Sequence, residues 1–204
     1  MTEKYLEAVI PDPVRIFGLR LRPFSLGHLL LLDRLGSPYV RGGNIGLDDL
    51  LLAVWICSRG IDANIELLDS AQLWAQVKKW KRAVQRSRWL MRLFGKRFDI
   101  ASRFVAFHNY IRNGQEIPKY FFESGKFSQS MGAPWMQTVR VRAMRELHYG
   151  QTEVLDMPLS LLLWDYVTLS ELDGNVRIFD KTEHDEMTKA ADEFDARFRK
   201  RGAA

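Results

Sequence analysis

The segment that most constrains the fold is the apolar stretch 156–175, DMPLSLLLWDYVTLSELDGN. Asp156 is placed to cap a helix, and Pro158 suits the first turn, where its missing N–H is not needed. Gly174 suits the left-handed conformation in which many helices end. Because apolar residues such as Trp164 also lie off the main stripe, we predict a helix that is buried on at least two sides. The main stripe consists of Leu159, Leu162, Leu163, Tyr166, Val167 and Ser170.

The rest of the chain also favours helices, and we predict a mainly α protein with about seven of them. The alternating segment 14–22 is typical of a short strand, and 175–179 has the composition of another. We hypothesise that these two segments pair as a small two-stranded β-ribbon. Residues 61–70 are predicted to be a connector. The predicted helices span 25–36, 47–59, 71–94, 98–113, 134–149, 156–175 and 181–201.

The proline distribution suggests how the chain is divided. Pro11 and Pro13 interrupt any helix near the N-terminus, so we predict a flexible arm over 1–13. Residues 14–201 are predicted to form a single helical domain, and 202–204 a short tail. A chain of 204 residues that is 47% apolar can bury a sizeable core.

The cysteine content and the hydropathy pattern indicate the cellular compartment in which the protein is expected. Cys57 is the only cysteine, which excludes an internal disulfide and suits a reducing cytosol. It lies in an apolar helical run and is expected to be an inert, buried thiol. The N-terminus lacks a secretory leader pattern, and the apolar runs are far shorter than the roughly 20 residues of a membrane span. We therefore expect a cytoplasmic protein without a membrane partner.

The net charge of +5 is concentrated in one element. Residues 78–103 hold ten Lys/Arg and one Asp, a net +9, which leaves 20 basic and 24 acidic residues elsewhere, a net −4. On the helix 71–94, the cations fall on one half of the surface, and Trp74 and Trp89 lie among them. Such a face binds an acidic protein segment or nucleic acid, or is merely solvated. We expect the protein itself to cover Trp74 and a partner to cover Trp89. The cations that matter most to this hypothesis are Arg82, Arg86 and Arg92.

The segment 117–135 is unusually aromatic for an irregular stretch. Loops normally lie on the surface, so Tyr120, Phe121 and Phe122 either fold back over the core or present an apolar patch to a partner.

The sequence contains no motif for catalysis, metal binding or cofactor binding. No two His or Cys residues have metal-ligand spacing, and the GxSxG, GxGxxG and GxxxxGK patterns are absent. His28 lies among leucines and is expected to be a hydrogen-bonded core or capping residue. We predict a protein that is not an enzyme and has no cofactor.

Two segments carry a family resemblance. In the first, Leu21, Arg22, Pro23, Ser25 and Gly27 form an "L-R-P-x-S-x-G" entry into a leucine-rich helix. In the second, Met157, Pro158, Leu159, Tyr166 and Gly174 form an "M-P-L" helix that ends near glycine. Together they resemble the tail assembly chaperones of long-tailed bacteriophages. The resemblance covers residues 18–40 and 154–174, which we call the first and second motif segments.

The resemblance implies a non-enzymatic helical protein that is made in the host cytoplasm. Such proteins are thought to coat the tape-measure protein and to hand it to the tail-tube subunits. The cationic helix and the aromatic loop are not part of the family pattern, which leaves open a structural connector of the virion. A nucleic-acid-binding helical protein is a further alternative. The predicted interaction surface comprises Trp74, Arg82, Arg86, Trp89, Arg92, Tyr120, Phe121, Phe122 and Trp164.

Overall fold

A computed structural model describes residues 3–68, 71–93, 99–122, 132–179 and Lys189; within these, only the backbone is described for 3–4, 65–68, 71–73, 88 and 90–93. The described residues are mainly helical, as predicted, with ten helices and four short strands. The helices are α1 (Glu3–Val9), α2 (Leu26–Arg34), α3 (Pro38–Arg41), α4 (Leu47–Cys57), α5 (Ile61–Leu68), α6 (Ala71–Leu93), α7 (Ile100–Gly114), α8 (Trp135–Glu146), α9 (Gln151–Asp156) and α10 (Leu159–Leu172). The strands are β1 (Arg15–Ile16), β2 (Leu19–Arg20), β3 (Tyr120–Phe122) and β4 (Val176–Ile178).

Helix α10 is central to the packing. It contacts α1, α7, α8 and β4, and its predicted stripe is buried except for the half-buried Tyr166. Its exit is the predicted one, because Gly174 has φ +67°. The N–H groups of Gly174 and Asn175 donate to the carbonyls of Glu171 and Ser170, which satisfies two groups that the helix end leaves free. The prediction of burial on at least two sides is confirmed.

The start of α10 differs from the prediction. Asp156 is the last residue of α9 and does not cap α10, whose N-cap position is taken by Pro158. The Asp156 carboxylate accepts hydrogen bonds from Arg22 Nη2 at 2.7 Å and from the Ile61 N–H at 3.2 Å. It therefore joins three segments that are distant in sequence.

Arg142 fastens α8 to α10. Its guanidinium donates to Glu146 Oε2 at 3.0 Å and to Ser170 Oγ at 2.8 Å, and it also pairs with Asp173. The guanidinium carbon lies 5.4 Å from the centre of the Tyr166 ring. With only 16% of the side chain exposed, Arg142 forms these contacts largely out of water.

The strand pairing was predicted wrongly. Phe17 and Gly18 have φ values of 49° and 82°, so the chain reverses there and β1 pairs antiparallel with β2 as a hairpin. The segment 175–179 instead contributes β4, which pairs antiparallel with β3. The hairpin gives 14–22 a local partner, and β3 becomes the partner of β4.

Four short helices among the described residues were not predicted: α1, α3, α5 and α9. The connector predicted over 61–70 contains α5, whose Ile61 is buried in the core. The predicted arm contains α1, which packs against α10; the division into arm, domain and tail stays a prediction. The predicted helix 181–201 lies outside the described residues apart from Lys189, which is helical. No helix in the part of the chain that the structure describes is long and apolar enough to cross a bilayer.

Candidate functional site

Helix α6 is attached to the core near its N-terminal end. It packs against α4 and α5. Val77 is buried, and the Trp80 ring lies 5.6 Å from the Trp55 ring and 6.3 Å from the Phe17 ring, between ring centres. Val77 and Trp80 therefore lie on the side of the helix that faces α4 and α5.

The opposite side of α6 is exposed. Trp74 is 55% exposed and Trp89 is 61% exposed. The internal cover predicted for Trp74 is therefore wrong: its side chain points away from the cluster around Trp80. At 1.5 Å per residue the two exposed tryptophans lie about 22 Å apart along the helix. We call this surface the α6 face; its exposed members are Trp74, Lys78, Lys79, Arg82, Arg86 and Trp89.

The cations of the α6 face have no acidic partners among the described residues. Within the described residues, α6 forms an ion pair through Lys81, which lies at the edge of the buried side of the helix. Lys81 pairs with Asp48 of α4. Lys78, Arg82 and Arg86 recur every four residues, a rise of about 6 Å each along the helix. The α6 face therefore carries positive charge between two large aromatic rings, and no acidic side chain in the described part of the chain pairs with it. The side chain of Arg92, also predicted to belong here, lies outside the described residues.

The predicted aromatic residues lie on another part of the fold. Tyr120, Phe121 and Phe122 form β3, which pairs with β4. Phe122 is 64% exposed, whereas Phe121 packs its ring 5.1 Å from the Phe179 ring. Since β4 in turn packs on α10 while α6 is held by α4 and α5, the predicted interaction residues are distributed over separate elements and do not form one site.

Trp164 is half-buried on α10 and has an internal neighbour. Its ring meets the Tyr5 ring of α1 edge-to-face, 5.5 Å between centres. The expectation that Trp164 is an exposed contact for a partner is thus only partly met, since one side of the ring packs within the protein.

The two motif segments meet in space. The N–H of Leu159 donates to the carbonyl of Phe24 at 2.7 Å, and Ser25 forms a bridge with Pro158. Gly27 lets α2 approach α9 closely, because a Cβ on it would lie 2.7 Å from the Leu155 carbonyl oxygen. Packing is therefore the first explanation for the residues of the two motif segments. The sequence alone did not indicate that the two segments are in contact.

A cleft of about 710 Å³ opens beside this junction, and sequence analysis missed it. Its walls come mainly from both motif segments, from the end of α1 with the chain that follows it, and from one side of α7. Residues from four separate segments that line one cleft share no sequence pattern. The one feature of the sequence that could have indicated the cleft was therefore the pair of motif segments. The residues used below are Leu21, Phe24, Asn109, Asn113, Ser160 and Trp164.

His28 is buried and fully bonded, as predicted. Its Nε2–H donates to the Arg59 carbonyl at 2.7 Å, and its Nδ1 accepts from the Ser25 N–H at 3.2 Å. Both contacts are those of the neutral ring, and burial lowers the pKa of His28. Cys57 is likewise buried, and burial raises the pKa of its thiol to about 12, which suits the inert role predicted for it.

The described residues contain no group of three or more His, Cys, Asp or Glu side chains that could hold a metal ion. Comparisons with protein-family models, with curated proteins and with solved structures found no match for this chain.

Proposed function

We propose that this protein is a tail assembly factor of a long-tailed bacteriophage that binds an acidic, amphipathic helix of a tail protein on the α6 face. The tape-measure protein and the tail-tube protein are the proposed clients. The observation that carries the proposal is the α6 face itself: two exposed tryptophans and, between them, cations that pair with no acidic side chain of the described residues. The family resemblance of the two motif segments supplies the phage setting, in the host cytoplasm or in the virion.

The spacing of the α6 face suits a helical partner. Carboxylates placed every four residues on a partner helix recur at about 6 Å, the same rise that separates Lys78, Arg82 and Arg86. Tryptophan and arginine are the residues that most often dominate the binding energy of protein interfaces. An acidic helix with apolar residues beside its carboxylates would cover Trp74 and Trp89 while it neutralises the cations.

Two tryptophans on α6, the exposed Trp89 and the packed Trp80, provide the test. The probe is a synthetic amphipathic peptide with Glu at every fourth position and leucines beside them, and the control peptide has Lys in place of Glu. Trp89→Ala should weaken binding of the Glu peptide by about thirtyfold or more, as expected for an interface anchor. Its denaturant midpoint should remain close to that of the wild type, because the side chain is mostly exposed. Trp80→Ala should instead lower the midpoint, since that ring is packed against Trp55.

A second arm separates protein from nucleic acid. The double variant Arg82→Gln, Arg86→Gln should weaken the Glu peptide, and a single-stranded oligonucleotide should bind the wild type weakly. Nucleic-acid binding that is tight and falls by orders of magnitude between about 50 and 200 mM salt would replace the proposal by the nucleic-acid alternative. Equal binding of the Glu and Lys peptides would refute it. A tape-measure gene beside the gene for this chain would support the phage setting.

A further inference from the structure

The cleft beside α7 is a site separate from the α6 face, and its chemistry differs. Its floor is apolar: Leu21 and Phe24 are buried, and the half-buried Trp164 lies at one side. Its charged lining consists of three carboxylates (Glu7, Asp12 and Glu116) and two guanidinium groups (Arg20 and Arg22), a net −1. This small charge gives no reason to attract an acidic segment of the kind proposed for α6.

The polar groups of the cleft offer hydrogen bonds. Asn109 and Asn113 lie one turn apart on the same side of α7, both exposed, and within the described chain neither amide is engaged in a hydrogen bond. Ser160, which is only 5% exposed, also lines the cleft. A peptide group that enters the cleft can therefore pair with the two asparagine amides without breaking a hydrogen bond within the described chain.

The spacing of the two asparagines matches an extended polypeptide. One helical turn of four residues rises about 6 Å. In an extended chain, backbone groups that point the same way recur every two residues, about 6.6 Å. A side-chain amide both donates and accepts, and so it pairs with a backbone C=O and N–H together. Two amides at this interval therefore fit alternate residues of one extended strand.

We propose that the cleft binds an extended, uncharged peptide segment of another protein. Asn109 and Asn113 hold alternate backbone amides of that segment, and its apolar side chains lie against Phe24 and Trp164. The volume of about 710 Å³ is within the range of roughly 300–1,000 Å³ that is usual for ligand sites. The site is independent of the α6 face, so either site can exist without the other.

The experiment first selects peptides that bind the cleft and then tests which of their backbone N–H groups are needed for binding. A displayed library of random uncharged nonapeptides is selected on the wild-type protein and counter-selected on Asn109→Trp, whose ring would fill the cleft. The enriched peptide is synthesised with a fluorescent label, and its affinity is measured by fluorescence polarisation. Asn109→Leu and Asn113→Leu should each weaken it about tenfold, because each removes hydrogen bonds and leaves peptide groups unpaired. His108→Leu, an exposed neighbour on α7 that does not line the cleft, should leave the affinity unchanged.

Backbone methylation provides the readout that a structural effect would not produce. Replacing single N–H groups of the peptide by N–CH₃ should abolish binding at the two alternate positions that Asn109 and Asn113 hold, and should spare the position between them. Loss of binding at every position, or at none, would overturn the proposed backbone pairing. Failure to enrich any peptide over the Asn109→Trp variant would overturn the site. Enriched peptides that lose affinity in the Arg82→Gln, Arg86→Gln variant and not in the asparagine variants would assign binding to α6 instead.

Discussion

Replacing Gly27 by alanine tests whether the two motif segments are held together by close packing. Alanine ordinarily stabilises a helix relative to glycine by roughly 0.5–1 kcal/mol. At Gly27 the added Cβ would lie 2.7 Å from Ile61 Cδ1 and 2.7 Å from the Leu155 carbonyl oxygen, where ordinary contacts are 3.4–4 Å. The isoleucine side chain can rotate, but the carbonyl belongs to the backbone of α9, which has to move away from α2.

The expected loss follows from these two opposing effects. Overpacking of a well-packed site costs about 1–3 kcal/mol, which exceeds the gain in helix propensity, so Gly27→Ala should lower the free energy of unfolding by about 1–2 kcal/mol. For a chain of this size that corresponds to a fall in Tm of about 2–8 °C. Urea denaturation followed by far-UV circular dichroism measures the change.

A second substitution separates the two causes of the lost stability, the contact with the Ile61 side chain and the contact with the Leu155 carbonyl. Ile61→Ala removes the side-chain atoms closest to the new Cβ and leaves the Leu155 carbonyl in place. Gly27→Ala should therefore still be destabilising in the Ile61→Ala background, by about half of its cost or more, as a double-mutant cycle would measure. A Gly27→Ala protein that is as stable as the wild type, or more stable, would refute the close approach of α2 and α9.

Three further predictions concern stability. Leu163→Ala should cost about 2–5 kcal/mol, because its side chain is buried on α10; an unchanged urea midpoint would contradict this. Arg142→Met should cost roughly 1–3 kcal/mol through the partners it leaves unpaired, whereas Arg145→Met, whose side chain is 79% exposed, should cost less than about 0.5 kcal/mol. The pKa of His28 is lowered in the folded protein, so the unfolded chain binds the proton more readily and the contribution of His28 to stability is complete above about pH 6.5 and declines below it. Between about pH 7.5 and pH 5.5 the wild type should therefore lose more stability than His28→Gln. Parallel pH profiles of the two proteins would contradict this, because they would show that folding leaves the pKa of His28 unchanged.

The local features of the fold could be predicted from the sequence. The ends of α2 and α10 follow from Ser25 and Gly174, because capping and left-handed exits depend on neighbouring residues of one chain segment. The apolar stripe of α10 and the exposed side of α6 follow from the 3.6-residue period of the helix. Short elements escaped prediction, α5 and α9 among them, since packing against α2 and α6 stabilises them more than any local pattern does.

The tertiary structure decided which residues and strands pair with one another. Asp156 has the composition of a helix cap, but Arg22 and the Ile61 N–H lie close enough to bind it instead. The 175–179 segment has strand composition in either pairing, and only the reversal at Phe17 and Gly18 removes 14–22 as its partner. The cleft depends on the same kind of information: periodicity places a residue on one side of its own helix, whereas the meeting of four distant segments is set by how the helices pack.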